Sequence, residues 1–283
     1  MDGKNEDRDE MPRIARRSFV TGTLASGFAL AVQPISAETI ITDTVGLTAG
    51  MVTLATSDGS IPAYRAHPAA SPKAPTILVV QEIFGLHEHI KDICRRLAKL
   101  GYYAIAPDLY ARFGDATKVA DIASIMKEIV PKVADARVLA DLDTAAAFAK
   151  SEGALPQLAI TGFCWGGRIT WLYTAHNPDL KAAVAWYGPL RTMGPLAPQS
   201  PLDIVADLKA PVLGLYGGAD QSIPIDSIRK VEAAAKAAGK KVEFVVYPDT
   251  PHAFNADYRP SYREGPAKDG WKRMQEWFKT NGV

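Results

Sequence analysis

The stretch Leu158-Ala159-Ile160-Thr161-Gly162-Phe163-Cys164-Trp165-Gly166-Gly167 decides the fold of this chain. Its first four residues form a largely apolar run, which is typical of a strand buried on both faces. A helical pattern begins near Gly167 and continues to His176. Small residues on both sides of a cysteine let strand and helix pack closely around a sharp turn. We predict that Cys164 is a nucleophile on this turn; the alternative is a buried structural cysteine between two packing glycines.

Similar apolar runs recur on both sides of this stretch and alternate with helical patterns. Strands are predicted at Met51 to Thr56, Ile61 to Tyr64, Thr76 to Val80, Tyr102 to Ala106, Ala182 to Trp186, Val212 to Tyr216 and Val242 to Tyr247. Helices are predicted at His87 to Leu100, Ala134 to Lys150, Ile225 to Ala238 and Lys268 to Lys279. The first two strands flank a turn sequence and form a hairpin. The alternation as a whole predicts an α/β fold with a mostly parallel sheet and helices on both faces.

The first 37 residues resemble a bacterial twin-arginine export signal. Arg16 and Arg17 precede a short apolar run that ends in Ser36-Ala37. This run is too short and too rich in Gly and Thr to span a membrane, so we expect cleavage near Ala37 and a periplasmic protein. The alternative is a disordered cytoplasmic tail. Residues 38–283 show no linker and no repeat, which predicts a single domain.

The composition favours a small-molecule partner. Lys and Arg total 32 and Asp and Glu total 31, so the formal net charge is +1 and the case for nucleic acid or an anionic membrane is absent. The two cysteines cannot build a disulfide framework, and the sequence predicts no metal site and no cofactor. His87 and His89 lie two residues apart at a helix start and point to different faces, so we interpret them as a first-turn cap region. Cys94 is interpreted as a core residue.

Two further strands end in residues that complete a catalytic set. Asp220 follows the strand that ends at Tyr216, and His252 follows the strand that ends at Tyr247. In a parallel sheet these ends lie at one edge, together with Cys164. The chain order is nucleophile, acid and base. In these roles His252 accepts the proton of Cys164 and later donates one to the leaving group, while Asp220 orients the imidazole. The alternatives are a helix-capping Asp220 and a loop histidine that bonds only to backbone.

The chain resembles the dienelactone hydrolase (carboxymethylenebutenolidase) family of the α/β-hydrolase superfamily. The resemblance runs from about residue 50 to the C-terminus and rests on an ordered set of motifs: Gln81-Glu82-Ile83-Phe84-Gly85, Pro107-Asp108-Leu109-Tyr110-Ala111-Arg112, Gly162 to Gly167, Tyr187-Gly188, Gly217-Gly218-Ala219-Asp220 and His252-Ala253-Phe254. It implies the α/β-hydrolase fold. It also implies hydrolysis of a small ester or lactone through a thioester on Cys164.

The resemblance further implies roles for individual residues. Glu82 becomes an auxiliary carboxylate that takes part in forming the thiolate, and the backbone N–H groups of Ile83 and Trp165 form the oxyanion hole, which acyl transfer requires. Arg112 corresponds to an arginine that holds a substrate carboxylate. We expect Tyr187 and Phe254 to contact the substrate as well.

One position departs from the family. A second substrate-binding arginine is expected four residues after the histidine, where this chain has Ala256; Arg259 and Arg263 lie nearby but are not aligned by the motif. The remaining alternatives are a general carboxylesterase or peptidase of the same fold and a non-catalytic binding protein. The loop Pro189 to Pro201 is predicted to be an ordered surface loop near the site that could act as a lid.

Overall fold

The fold is an eight-stranded, mostly parallel sheet with helices packed against it. The computed structural model describes residues 39–119 and 121–283, and the predicted export signal lies outside them. The strands are β1 (Leu47–Thr56), β2 (Gly59–Pro68), β3 (Thr76–Val80), β4 (Tyr103–Pro107), β5 (Leu158–Phe163), β6 (Leu180–Trp186), β7 (Val212–Gly217) and β8 (Val242–Tyr247). Their order across the sheet is β1-β2-β4-β3-β5-β6-β7-β8.

The helices alternate with the strands along the chain, as the sequence predicts. They are α1 (Glu88–Lys99), α2 (Ile122–Glu128), α3 (Asp135–Ser151), α4 (Trp165–His176), α5 (Pro201–Ile204), α6 (Ile225–Ala237) and α7 (Glu264–Thr280). Short helices α2 and α5 were not predicted, because four to seven residues carry too little periodicity. Helix α7 begins four residues earlier than predicted. Within the described residues, no helix has the length and apolar character needed to cross a membrane.

The pairing of the strands confirms the predicted hairpin and parallel core. Strands β1 and β2 form an antiparallel hairpin, β2 pairs antiparallel with β4, and the strands from β4 to β8 are parallel neighbours. Every residue of β3, β4, β5 and β7 is buried. Because successive side chains of a strand point to opposite faces, both faces of the central sheet are covered.

The register brings the carboxyl ends of the central strands to one edge. Val80 is aligned with Gly162, Phe163 with Trp186, and Gly217 with Tyr247. The residues that follow these ends therefore meet at that edge, which is where ligands bind in open parallel sheets. Every residue predicted to be catalytic follows one of them.

Candidate active site

Cys164 occupies the turn between β5 and α4. Its φ of 53° lies in a region that non-glycine residues rarely adopt, and it is the N-cap residue of α4. The packing around the turn excludes side chains, since a Cβ on Gly166 would lie 2.4 Å from the carbonyl oxygen of Gln81. The Cys164 backbone N–H donates to the Trp186 carbonyl at 3.0 Å. The thiol thus lies at the N-terminus of a helix, whose dipole favours a negative charge.

His252 and Asp220 form a short contact beside this cysteine. His252 Nδ1 lies 2.6 Å from Asp220 Oδ2, and the other Asp220 oxygen accepts from the backbone N–H and the hydroxyl of Ser222 at 2.8 and 2.6 Å. His252 is also close enough to Cys164 for the thiol to influence its protonation. Both Asp220 oxygens therefore have partners, and the one that faces His252 fixes the orientation of the imidazole. No motif in the sequence pointed to the role of Ser222.

The protonation of His252 follows from these neighbours. Burial lowers the pKa of His252, but the charge of Cys164, hydrogen bonds to Asp220 and Cys164, and the charge of Asp220 outweigh burial and raise that pKa to about 10. Burial raises the pKa of Asp220, and the hydrogen bond and charge of His252 bring it below its usual range. The arrangement therefore favours a protonated His252 imidazolium beside Cys164 at neutral pH.

We expect His252 to keep its second ring proton at neutral pH and to lose it as the pH rises through about 10. Nitrogen-15 NMR of the labelled imidazole measures this titration directly. Asp220→Asn removes one stabilising charge, so the same proton should be lost at lower pH. Titration of the wild-type residue near the usual 6.5 of histidine would contradict the assigned pair.

Tyr187 lies against His252 and Phe254 lies against Tyr187, and both are fully buried. The Tyr187 ring packs edge-on against His252 with 5.1 Å between centroids, and against Phe254 at 5.3 Å. Phe254 also packs on Trp186 and Tyr247. This burial favours a role in supporting the histidine over the predicted contact with substrate.

Glu82 follows β3 and is fully buried. Its Oε2 accepts a hydrogen bond from the Tyr258 hydroxyl at 2.6 Å, while its Oε1 is buried with no hydrogen-bond partner. Burial raises the pKa of Glu82, but the proximity of His87 and the electrostatic influence of His87, His89 and Arg259 lower it overall. The sequence analysis did not predict that Tyr258 and His87 contact Glu82.

Arg112 is held by partners other than a substrate. Its guanidinium makes a bidentate contact with Asp141 of α3 at 2.7 and 3.1 Å, and it donates to Asp58 and Thr56 of the β1–β2 hairpin at 2.7 and 2.8 Å. Two carboxylates already neutralise this cation. These contacts favour a role for Arg112 in fixing the hairpin to α3, and its predicted contact with a substrate carboxylate stays a prediction that they do not support.

Arg259 has the environment that was expected of Arg112. Its guanidinium stacks on Phe84 at 5.2 Å, its charge acts on Glu82 and Tyr187, and its Nε is buried without a partner. Within the described residues, no carboxylate lies at ion-pair distance from it. An arginine with a buried Nε and without an ion-pair partner among the described residues is a candidate for binding an anionic group.

The remaining residues of the sequence analysis lie next to β3, at the start of α4 and in α1. Ile83 lies in the turn after β3, and Trp165 is the first residue of α4, where backbone N–H groups have no acceptor inside the helix. Cys94 is a fully buried residue of α1, and burial raises the pKa of its thiol. His87 is the N-cap residue of α1, yet its side chain caps nothing. The interpretation of His87 and His89 as a first-turn cap region is therefore confirmed in position, although the His87 side chain makes no cap hydrogen bond.

The comparisons with known proteins agree with this geometry. The family model "Dienelactone hydrolase family" matches residues 61–282. The chain belongs to the dienelactone hydrolase family. This confirms the resemblance seen in the sequence and the α/β-hydrolase fold, and it identifies the chain as a hydrolase.

Individual relatives cover nearly the whole chain. A Methylorubrum extorquens protein named "Putative carboxymethylenebutenolidase" is 61% identical over 95% of this chain and 94% of its own length. An Escherichia coli K12 protein of the same name is 54% identical over 92% and 97%. The crystal structure of a "Putative Dienelactone Hydrolase" from Klebsiella pneumoniae superposes with a TM-score of 0.79 at 55% identity, covering 82% of this chain and 98% of that one.

Proposed function

We propose that this hydrolase cleaves small esters or lactones through a Cys164–His252–Asp220 triad and a thioester acyl-enzyme. The observation that carries the proposal is the 2.6 Å contact between His252 and Asp220. It lies beside Cys164, which acts on the pKa of His252 and occupies a strained turn at the N-terminus of α4. The thiolate attacks the substrate carbonyl, and His252 then gives its proton to the leaving oxygen. Water, deprotonated by His252, hydrolyses the thioester and releases Cys164.

The oxyanion that forms in both steps needs donors in a fixed position. We assign this task to the backbone N–H groups of Ile83 and Trp165, because they come from the two turns that flank Cys164. Glu82 precedes one of these donors and serves as the auxiliary carboxylate, with its unpartnered Oε1 available to the thiol proton. Export of the protein to the periplasm remains a prediction from the sequence.

The acyl-enzyme gives the direct test. A p-nitrophenyl ester is mixed with the protein, the reaction is quenched in acid within milliseconds to seconds, and intact and peptide masses are measured. We expect an acyl adduct on Cys164 that hydroxylamine removes, and release of p-nitrophenol faster than the steady state. Turnover without any adduct, or an adduct on another residue, would contradict the proposed mechanism.

Substrate charge is the second part of the proposal, and it rests on Arg259. A charge-assisted contact with a substrate carboxylate is worth about 1.5–3 kcal/mol, which corresponds to roughly ten- to a hundredfold in kcat/KM. Arg259→Gln should therefore lower kcat/KM by that factor for lactones that bear a carboxylate and nearly spare neutral esters. The measurement is kcat/KM on a matched pair of such substrates.

Arg112 provides the matched comparison. Arg112→Gln breaks contacts with Asp141 and Asp58, so it should lower thermal stability and affect both substrate classes alike. Equal losses for both classes in Arg259→Gln, or a selective loss in Arg112→Gln, would reverse the two assignments. A neutral-ester carboxylesterase would then be the better description.

A further inference from the structure

His87 lies between the buried Glu82 and a solvent-filled groove. Its Nε2 is 3.4 Å from Glu82 Oε2, and its side chain is 16% exposed while that of Glu82 is not exposed at all. The same histidine lines a groove of about 370 Å³ together with Leu86, Glu88, Lys91, Asp108 and Asp115. One imidazole thus contacts a buried carboxylate on one side and solvent on the other.

Two polar atoms of the His87–Glu82 pair lack a hydrogen-bond partner. His87 Nε2 and Glu82 Oε1 are both buried without a hydrogen-bond partner, although the pair is at ion-pair distance. Buried polar atoms without partners are rare and costly, and they often mark a site where a proton moves. Burial lowers the pKa of His87 despite the opposing effect of Glu82, so at neutral pH the imidazole is uncharged. With its one ring proton on Nδ1, it can accept a proton at Nε2.

We propose that His87 is the proton carrier of Glu82, moving a proton between this buried carboxylate and the solvent groove. The inference rests on the auxiliary role of Glu82 proposed above. The thiol proton of Cys164 passes to Glu82, leaving the thiolate, and then to Nε2 of His87, leaving Glu82 as a carboxylate. The resulting imidazolium releases its other ring proton to water in the groove. No bond other than these N–H, O–H and S–H bonds changes.

Glu82 needs a neighbouring group to take over the proton that it receives from the thiol. A carboxylate held below its usual pKa passes on a proton but does not keep it, so a neighbouring base is required as the acceptor. His89 is less suited, because its Nδ1 lies 3.2 Å from the buried carboxylate of Asp257. His87 has no second carboxylate at that distance among the described residues.

The charges that face His87 come from several elements. Glu82 comes from the turn after β3, and His89 from α1 has its ring stacked on His87 at 6.1 Å. Tyr258 packs edge-on at 5.1 Å from the segment before α7, and the positive charge of Arg259 lowers the pKa of His87 further. Toward solvent, the charged groups are those of the groove, namely Glu88, Lys91, Asp108 and Asp115.

Chemical rescue tests the proposal. In His87→Ala, the cavity left by the ring adjoins the groove, so imidazole added to the buffer can enter. We expect kcat/KM on p-nitrophenyl acetate to fall by about ten- to a hundredfold in His87→Ala and to recover with added imidazole, more strongly with more basic imidazoles. His87→Gln retains a hydrogen-bond donor but carries no proton, so it should stay slow. His89→Ala is the matched control, and imidazole should not rescue it.

The outcomes separate this inference from the proposed function. If Cys164→Ala hydrolyses the ester as fast as the wild type, the proposed function fails and the relay fails with it. If Cys164→Ala is inactive and His87→Gln has wild-type kcat/KM at every pH, only the relay is overturned. Loss of activity in His87→Ala without rescue by imidazole, in a protein with unchanged melting temperature, also overturns it. Should His87→Ala fail to fold, His87→Gln alone decides.

Discussion

Replacing Cys164 with alanine is expected to lower kcat/KM for p-nitrophenyl acetate by about 10⁴-fold or more, which is the usual cost of losing a triad member. The variant should fold normally, because alanine fits at a half-buried turn. Iodoacetamide should label Cys164 in the wild type and stop hydrolysis. The measurements are steady-state rates and peptide mass spectrometry.

Cys94 is the matched control for this experiment. It is the other cysteine of the chain, fully buried in α1, where burial raises the pKa of its thiol and makes it unreactive. Cys94→Ala should keep its activity and lose a little stability from a small cavity. Inactivation that maps to Cys94, or wild-type rates in Cys164→Ala, would contradict the assignment of the nucleophile.

The second large effect is expected on stability, at the ion pair of Arg168 and Asp135. Arg168, on α4, is fully buried and binds both oxygens of Asp135 at 2.7 Å. It also donates to the Ala197 and Gln199 carbonyls of the loop that was predicted as a lid. The pair therefore holds the nucleophile helix, α3 and this loop together.

Arg168→Met should cost about 3–5 kcal/mol of unfolding free energy, because it leaves the Asp135 charge buried without its partner. For a domain of this size that is a fall in melting temperature of roughly 10 °C. Urea unfolding and a thermal melt measure both quantities. The double variant Arg168→Met/Asp135→Leu removes both charges and should recover part of the loss.

An exposed pair provides the comparison. Arg229 and Asp226 lie 3.3 Å apart with 73% and 80% of their side chains exposed, so Arg229→Met should leave the unfolding midpoint nearly unchanged. If Arg168→Met unfolds at the wild-type urea concentration, the buried pair contributes no net stability. The loop would then need another anchor.

The sequence predicted the parts of the fold and site that depend on local pattern. The strands β3 to β8 could be predicted from the sequence because each is a short apolar run between turn signals. Cys164, Asp220 and His252 could be predicted as one cluster because each lies within five residues of the end of such a run, and parallel pairing brings the strand ends together. The pairing of Gly217 with Tyr247 places the segments after β7 and β8 side by side. His252 Nδ1 and Asp220 Oδ2 thereby come within the observed 2.6 Å.

The parts that the sequence missed depend on contacts between distant segments. Tyr258 bonds to Glu82 across 176 residues, and no pattern in either segment indicates this. Arg112 matched a motif, but its partners Asp141 and Asp58 come from other elements, and only the folded chain shows that they occupy it. His87 was interpreted from its place at a helix start, whereas its side chain turns toward Glu82.

The order of the site residues along the sequence determines when each becomes available during protein synthesis. The strand pairs from β1 to β7 involve residues up to Gly217 only, so most of the sheet can assemble while the rest is still on the ribosome. His252 and Tyr258 follow β8 and therefore emerge after these strands. While β1 to β7 assemble, the nascent chain therefore carries Cys164 without His252, so under the proposed mechanism the thiol gains its imidazole partner only after β8 and the segment behind it have been synthesised.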